Sequence, residues 1–369
     1  MGTTAGGTAE SAVFVDRSGI AVRRADGTTI ALDPSKSADC HFTFVSHAHV
    51  DHLHRRSRPA GKGDNSSHGS KLIVSRATSL LASARGYDIA DGSDDDDEEH
   101  DGFQLVDTGH ILGSRGLLVG DDEVFYTGDL STRERAFLKP ARLPHARTLI
   151  IESTFGRPEY SFPAIDEITH KTNKIISEMY DMGIPVILMG YALGKAQVLT
   201  KLFGHWDPVF VHDSVAKMNA IHSDLGVELK HAMGHTEAEE KGLLSKRRPW
   251  VMVAPLMSGR NAFVKRMKER YGAVTVGFSG WAVDPRYRYT MGLDYAMPFS
   301  DHCDYEELMQ AVRQCSPEQV FTFHGFSEEF AASLKRMGFD AKPIAGHEKK
   351  KEERRKKEKV ATLDSFRSA

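Results

Sequence analysis

The sequence predicts an α/β fold of two domains, one of them split by the other. Three observations carry that expectation. Up to Glu152 the apolar segments are short and separated by turn residues, in the manner of half a sheet sandwich. Between Tyr160 and about Arg286 strand-like and helix-like patterns alternate, which favours a parallel sheet covered by helices, and from Ser300 to Ile344 the chain returns to the first domain. A chain of 369 residues has room for both cores. The expected boundaries are an N-terminal arm over 1–12, a split domain over 13–159 and 287–346, an inserted domain over 160–286 and a charged tail over 347–369.

Phe42-Thr43-Phe44-Val45 is β-branched and aromatic and reads as a buried strand. The loop leaving it, Ser46-His47-Ala48-His49-Val50-Asp51-His52, holds three imidazoles and a carboxylate, a donor set suited to a borderline ion such as zinc. His47 and His49 flank Ala48 and point one way from an extended backbone, while Asp51 and His52 follow the turn and reach toward a second ion. Gln104-Leu105-Val106 is the next strand, and Gly109 permits the turn that presents His110. Val124-Phe125-Tyr126 runs into Asp129, a carboxylate able to bridge two cations, and Thr148-Leu149-Ile150-Ile151 ends in Glu152. The inserted segment carries an amphipathic helix from Ile165, a strand over 185–189, a helix from Leu193 to Phe203, and strands over 250–253 and 274–278. Lys195 stands near a helix start, where free N–H groups and a cation favour phosphate; a plain surface lysine is the other reading. After the insertion come Phe299-Ser300-Asp301-His302, a helix around Glu306 to Val312, a strand ending at His324, and a last helix and strand. The cleft between the domains is the expected place for a substrate.

In this order the metal-binding residues resemble those of the metallo-β-lactamase superfamily, which implies an αββα sandwich and two Zn2+ ions. The resemblance assigns His47, His49 and His110 to one zinc, Asp51 and His52 to the other, and Asp129 to the bridge. Glu152, His302 and His324 resemble the further motifs of the β-CASP nucleases, the group that includes the cleavage and polyadenylation nuclease and several DNA repair nucleases. That implies an inserted β-CASP domain, Glu152 as acidic partner, His302 as general acid, His324 as last ligand of the second zinc, and a catalytic part for Asp51. Glu152 to Pro163, Tyr191 to Gln197 and Ser279-Gly280-Trp281 resemble most the ligase-associated DNA exonuclease, or mRNA 3'-end processing exonuclease-like, subgroup, from about Val13 to Ile344. By the same resemblance Ser153 and Ser279 join Lys195 as substrate contacts. An insertion around Arg56 to Ser70 and an acidic loop around Ser93 to Asp101 depart from that subgroup.

The activity so implied is zinc-dependent hydrolysis of nucleic acid by a metal-bound hydroxide, read first as a DNA exonuclease of repair. An RNA 3'-end processing endonuclease or RNA exonuclease is the second reading, since nothing in the sequence reads a 2'-hydroxyl. A non-catalytic clamp- or nucleic-acid-binding relative is the third, and a small-molecule hydrolase of the same superfamily is disfavoured by the inserted domain. Nucleic acid, DNA in preference to RNA, is the expected partner, with a sliding clamp and a DNA ligase beside it.

Net charge is only −3, but the run Asp94 to Glu99 is acidic throughout, so the remainder is mildly positive. Cys40, Cys303 and Cys315 are too few and dispersed for a disulfide framework. No apolar run approaches the ~18 residues of a membrane span, and Met1 to Gly7 lacks the pattern of a signal peptide, so a cytoplasmic protein is expected, with no membrane partner. The tail from Lys349 to Lys359 has mixed charge and no apolar face. Beyond it, Leu363 and Phe366 stand at the anchor spacing of a sliding-clamp-binding peptide, with Val360 and Arg367 departing from that pattern; an ordinary frayed terminus is the competing reading.

Overall fold

A computed structural model of the chain describes residues 11–53, 70–87, 89, 102–120, 123–245 and 248–344. Three sheets account for its strands. The first is built from β1 (Ala12–Val15), β2 (Ile20–Arg23), β3 (Thr29–Leu32), β4 (Phe42–Val45) and β5 (Lys71–Val74), side by side in chain order. Helix α1 (Arg76–Ala84) follows, its N-terminus capped by the Ser75 hydroxyl. The second sheet begins with β6 (Phe103–Asp107), β7 (Arg115–Val119), β8 (Val124–Tyr126) and β9 (Thr148–Glu152).

The inserted segment then runs α2 (Ile165–Asp181), β10 (Val186–Gly190), α3 (Lys195–Phe203), β11 (Val209–Val211), α4 (Asp213–Asp224), β12 (Met233–Gly234), α5 (His235–Glu240), β13 (Val251–Pro255), α6 (Ala262–Tyr271) and β14 (Val274–Phe278). A 3-10 turn over Gly280–Val283, α7 (Arg286–Met291) and β15 (Tyr295–Met297) complete it. All six of its strands are parallel, in the order β12-β11-β13-β10-β14-β15. The chain returns through α8 (Tyr305–Cys315), β16 (Gln319–Phe323), α9 (Ser327–Arg336) and β17 (Asp340–Pro343), and the two late strands extend the second sheet in parallel beside β9.

Alternation along the strands decides the layers. Ile20, Val22, Ile30, Leu32 and Phe44 of the first sheet meet Leu117, Val119, Val124, Tyr126 and Phe323 of the second in one dry core, so the sheets stack face to face. The other face of the second sheet, with Leu118, Phe125, Leu149, Ile151 and Val320, is covered by Leu308 and Val312 of α8 and Phe330 and Leu334 of α9. Helix α1 covers the outer side of β4 and β5 through Leu81 and Ala82, completing an αββα sandwich as expected. In the inserted sheet Val186, Leu188, Val251 and Val253 face α2 and α3, and Ile187, Met189 and Met252 face α6.

One boundary differs from the sequence expectation. The inserted sheet does not end near Arg286 but continues through α7 to β15, which pairs with β14 at Val276↔Tyr295. The segment 287–297 is charged and aromatic with few aliphatic residues, so its membership of a parallel sheet is set by tertiary pairing rather than local pattern. The clamp-like peptide at Leu363 and Phe366, the acidic loop and the insertion at 56–69 lie outside the described residues.

Candidate metal centre

The strand ends of both sandwich sheets meet at one spot. β4 delivers the loop with His47, His49 and His52; β6 leads to His110, β8 to Asp129, β9 ends on Glu152 and β16 runs into His324. His47 Nε2, His49 Nδ1 and His110 Nε2 converge, with His49 Nδ1 3.1 Å from each of the other two. Asp129 Oδ2 closes the group at 3.5 Å from His47 and 3.7 Å from His110. The edges of a tetrahedron around an ion with bonds of about 2.0–2.1 Å are about 3.4 Å, the spacing these four atoms keep.

Asp129 also faces the other way. Its Oδ2 lies 3.4 Å from His52 Nε2 and its Oδ1 3.6 Å from His324 Nδ1. His52 Nε2 and Asp129 Oδ1 are buried and make no hydrogen bond among the described residues, an expensive arrangement unless something else uses their lone pairs. These residues fit a pair of divalent cations sharing Asp129. Asp51 is exposed and stands outside these groups, although its charge favours protonation of His49.

Every ligating imidazole is fixed through its other nitrogen. His47 Nδ1 meets Ser46 Oγ at 2.9 Å, His49 Nε2 meets the Leu193 carbonyl at 3.1 Å, and His110 Nδ1 donates to the Asp301 carbonyl at 2.9 Å. His52 Nδ1 donates to Asp33 Oδ2 at 2.7 Å. Such contacts set ring orientation and tautomer. Asp33 was not singled out from sequence. It also accepts from Ser46 N, Ser46 Oγ and the Tyr126 hydroxyl, and it follows the apolar strand β3 as Asp129 follows β8, which is the signal that would have found it. Burial, with crowding by neighbouring imidazoles, pushes His47 and His110 well below the usual histidine range, into the neutral form that binds metal. Burial opposes charge on His52 as well, but Asp129 and Asp33 outweigh it and raise that group.

Beside the cluster, His302 Nδ1 donates to both oxygens of Glu152, at 2.9 and 3.0 Å. Glu152 is wholly buried, and its oxygens also accept from Leu130 N and Thr154 N, so it orients rather than competes for an ion. Burial lowers the His302 pKa, but Glu152 and Asp129 overcome it and raise it to about 9, leaving a protonated ring at neutral pH. His324 sits at a positive φ of 58° and is followed by Gly325, where an added Cβ would fall 2.4 Å from Thr154 Cα.

The three expected substrate contacts are placed otherwise. Lys195 is not an exposed helix-start cation: it is 2% exposed and paired with Asp301 Oδ2 at 3.1 Å, because Asp301 folds onto it from far along the chain. Burial lowers the Lys195 pKa against that pairing, while Lys195 and Arg135 outweigh the burial of Asp301 and bring its carboxyl down to about 2. Ser153 is buried and donates to the carbonyls of Phe323 and His324, pinning the turn that carries His324. Ser279 is buried and caps the turn at Trp281 N.

Comparison with known proteins agrees with this arrangement. Residues 295–342 match a family model described as a Zn-dependent metallo-hydrolase RNA specificity domain. A probable DNA ligase of Opitutus terrae is 33% identical over 82% of this chain and 29% of its own length. The transcription termination factor FttA of Methanocaldococcus jannaschii is 25% identical over 63% of this chain and 47% of its own length, and an RNase J-like protein of the same organism is 23% identical over 60% and 63%. The chain thus spans less than two thirds of each of these relatives. A crystal structure titled as a protein of unknown function from Enterococcus faecalis shares the fold with TM-score 0.54 at 15% identity, covering 80% of this chain and 78% of that one. Among the described residues no helix is long and apolar enough to cross a membrane.

Proposed function

Since the chain belongs to the metallo-β-lactamase superfamily and its β-CASP nuclease branch, we propose that it is a metal-dependent phosphodiesterase that degrades DNA from an end. The single observation that carries the chemistry is a carboxylate, Asp129, shared by two histidine groups with a protonated His302 alongside. The donor set suits two zinc ions, held by His47, His49 and His110 on one side and His52 and His324 on the other, with Asp129 between. When bound, such ions neutralise phosphate charge and acidify a coordinated water.

The chain's own residues supply the rest. His302 is tied to Glu152 through Nδ1, which leaves Nε2 to hand a proton to the departing oxygen. Glu152 keeps that ring in one tautomer and stabilises its charge. Asp33 and the Asp301 carbonyl hold His52 and His110 so that no ligand reorients during turnover.

DNA as substrate rests on the 33% identity to a probable DNA ligase across most of this chain. The RNA reading draws on the matched domain's description and on the FttA and RNase J-like relatives. Incubating the zinc-loaded protein with end-labelled single-stranded DNA, duplex DNA and RNA separates them. Stepwise release of mononucleotides from DNA with RNA spared is the expected result; cleavage of RNA alone would transfer the assignment to RNA processing, and no cleavage of any would remove both.

A further inference from the structure

Tryptophan is costly to leave in water, yet Trp281 is 37% exposed beside the candidate metal centre. It lies in the 3-10 turn that leaves β14, in the inserted domain. Three rings of the sandwich domain hold it from below: Phe155 at 4.9 Å between centroids, Tyr160 at 5.6 Å and Phe326 at 6.2 Å. Phe155 in turn contacts the His302 ring at 6.0 Å, so one side chain separates the exposed indole from the proton donor. Gly280 lets the turn press against that cushion, since an added Cβ would fall 2.4 Å from Phe155 Cζ. The indole is therefore fixed before any ligand arrives.

The other exposed large aromatics among the described residues are Tyr191 and Tyr289, and both belong to the same domain. Tyr191 leaves β10, the parallel neighbour of β14 in the register Met189↔Gly277, two residues before the Leu193 carbonyl that holds His49. Tyr289 lies in α7, just after the Trp281 turn, with the Arg288 guanidinium 4.7 Å from its ring centroid. Rigid rings rising from adjacent strand ends at the mouth of a phosphate-cleaving site suit successive unpaired bases, whose faces stack on aromatic side chains without regard to sequence.

We propose that Trp281 is a stacking platform for one unpaired base of a single-stranded nucleic acid whose backbone passes His302. This rests on the nuclease reading above, and the ligand chemistry, a base face on a flexible backbone, is common to DNA and RNA. Binding of short, dye-labelled phosphorothioate oligothymidylate and oligouridylate to the full chain is measured by anisotropy, for wild type, Trp281→Leu and Trp281→Phe. The expected loss for Trp281→Leu is about 5- to 150-fold, the strength of a base–aromatic stack, with most of it recovered in Trp281→Phe. A second series moves one abasic site along the oligomer against the wild-type protein, which needs no variant to fold. One position should weaken wild-type binding by the same factor and leave Trp281→Leu unaffected. If every abasic position is equivalent, or if Trp281→Leu binds as wild type, the platform is wrong even when cleavage is intact; absence of binding by all three proteins would instead count against the nuclease reading. Loss on oligothymidylate alone assigns the stack to DNA, and loss on oligouridylate alone to RNA.

Discussion

Six side chains at the metal centre behave as one object because their second contacts are as specific as their first. Asp33 shows this most plainly: its carboxylate accepts four hydrogen bonds, one of them from the His52 ring. Replacing it by Asn keeps the shape and removes the charge. Asp33→Asn should weaken the affinity for the second ion by about 10- to 100-fold, read by competition against a chelating dye. Removing the shared ligand is harsher. Asp129→Ala should lose both ions by elemental analysis, whereas His302→Ala should keep its metal while turnover falls by roughly 10²- to 10⁴-fold, as for loss of a general acid. A His302→Ala protein that loses zinc and recovers activity on zinc addition would reverse these roles. The histidines and Asp129 were legible in the sequence because each follows an apolar strand and the donor types are unusual in such density. Asp33 follows a strand too, but a lone aspartate beside Pro34 and Ser35 reads as a turn residue, and only its contacts reveal otherwise.

At the scale of elements, the start of α3 repays comparison with its sequence. Gly194 precedes it at φ 92°, where a Cβ would fall 2.4 Å from Ile111 Cγ2, so this helix end is pressed onto the loop that carries His110. Lys195 then points inward, with Asp301 shared between it and Arg135. Lys195→Met should cost on the order of 3 kcal/mol by denaturant midpoint, since removing one partner of a buried pair leaves the other uncompensated. The slope of nucleic-acid affinity against salt should not change, because no phosphate contact is lost; a fall of about one unit would restore the phosphate-contact role. Strands β4, β9 and β14 were readable almost to the residue, since each is a short apolar run between turn signals. Helix α5, His-Thr-Glu-Ala-Glu-Glu, and the two-residue β12 carry no such pattern and exist because the parallel sheet recruits them.

The whole molecule joins its ligands from distant parts of the chain, so metal and fold are linked. A ligand present at about a thousand times its dissociation constant adds about 4 kcal/mol to the folded state. Stripping the protein with a chelator should therefore lower its thermal midpoint by several degrees, with recovery on adding zinc, both read by scanning calorimetry. An unchanged midpoint would mean that the cluster holds no ion in solution.

The parallel pairing of β9 with β16 also bears on how the protein is made. β9 is a nearly continuous buried strand, Thr-Leu-Ile-Ile-Glu, and its only other neighbour is β8. During synthesis the entire inserted domain must emerge before Gln319 reaches that edge, which at ribosomal speed takes roughly ten to thirty seconds. Throughout that interval the nascent chain offers an open, apolar strand edge, the standard template for aggregation. A chain stopped just before β16 is thus expected to precipitate or to be captured by chaperones, and slowing translation across the insertion should lower the yield of soluble full-length protein.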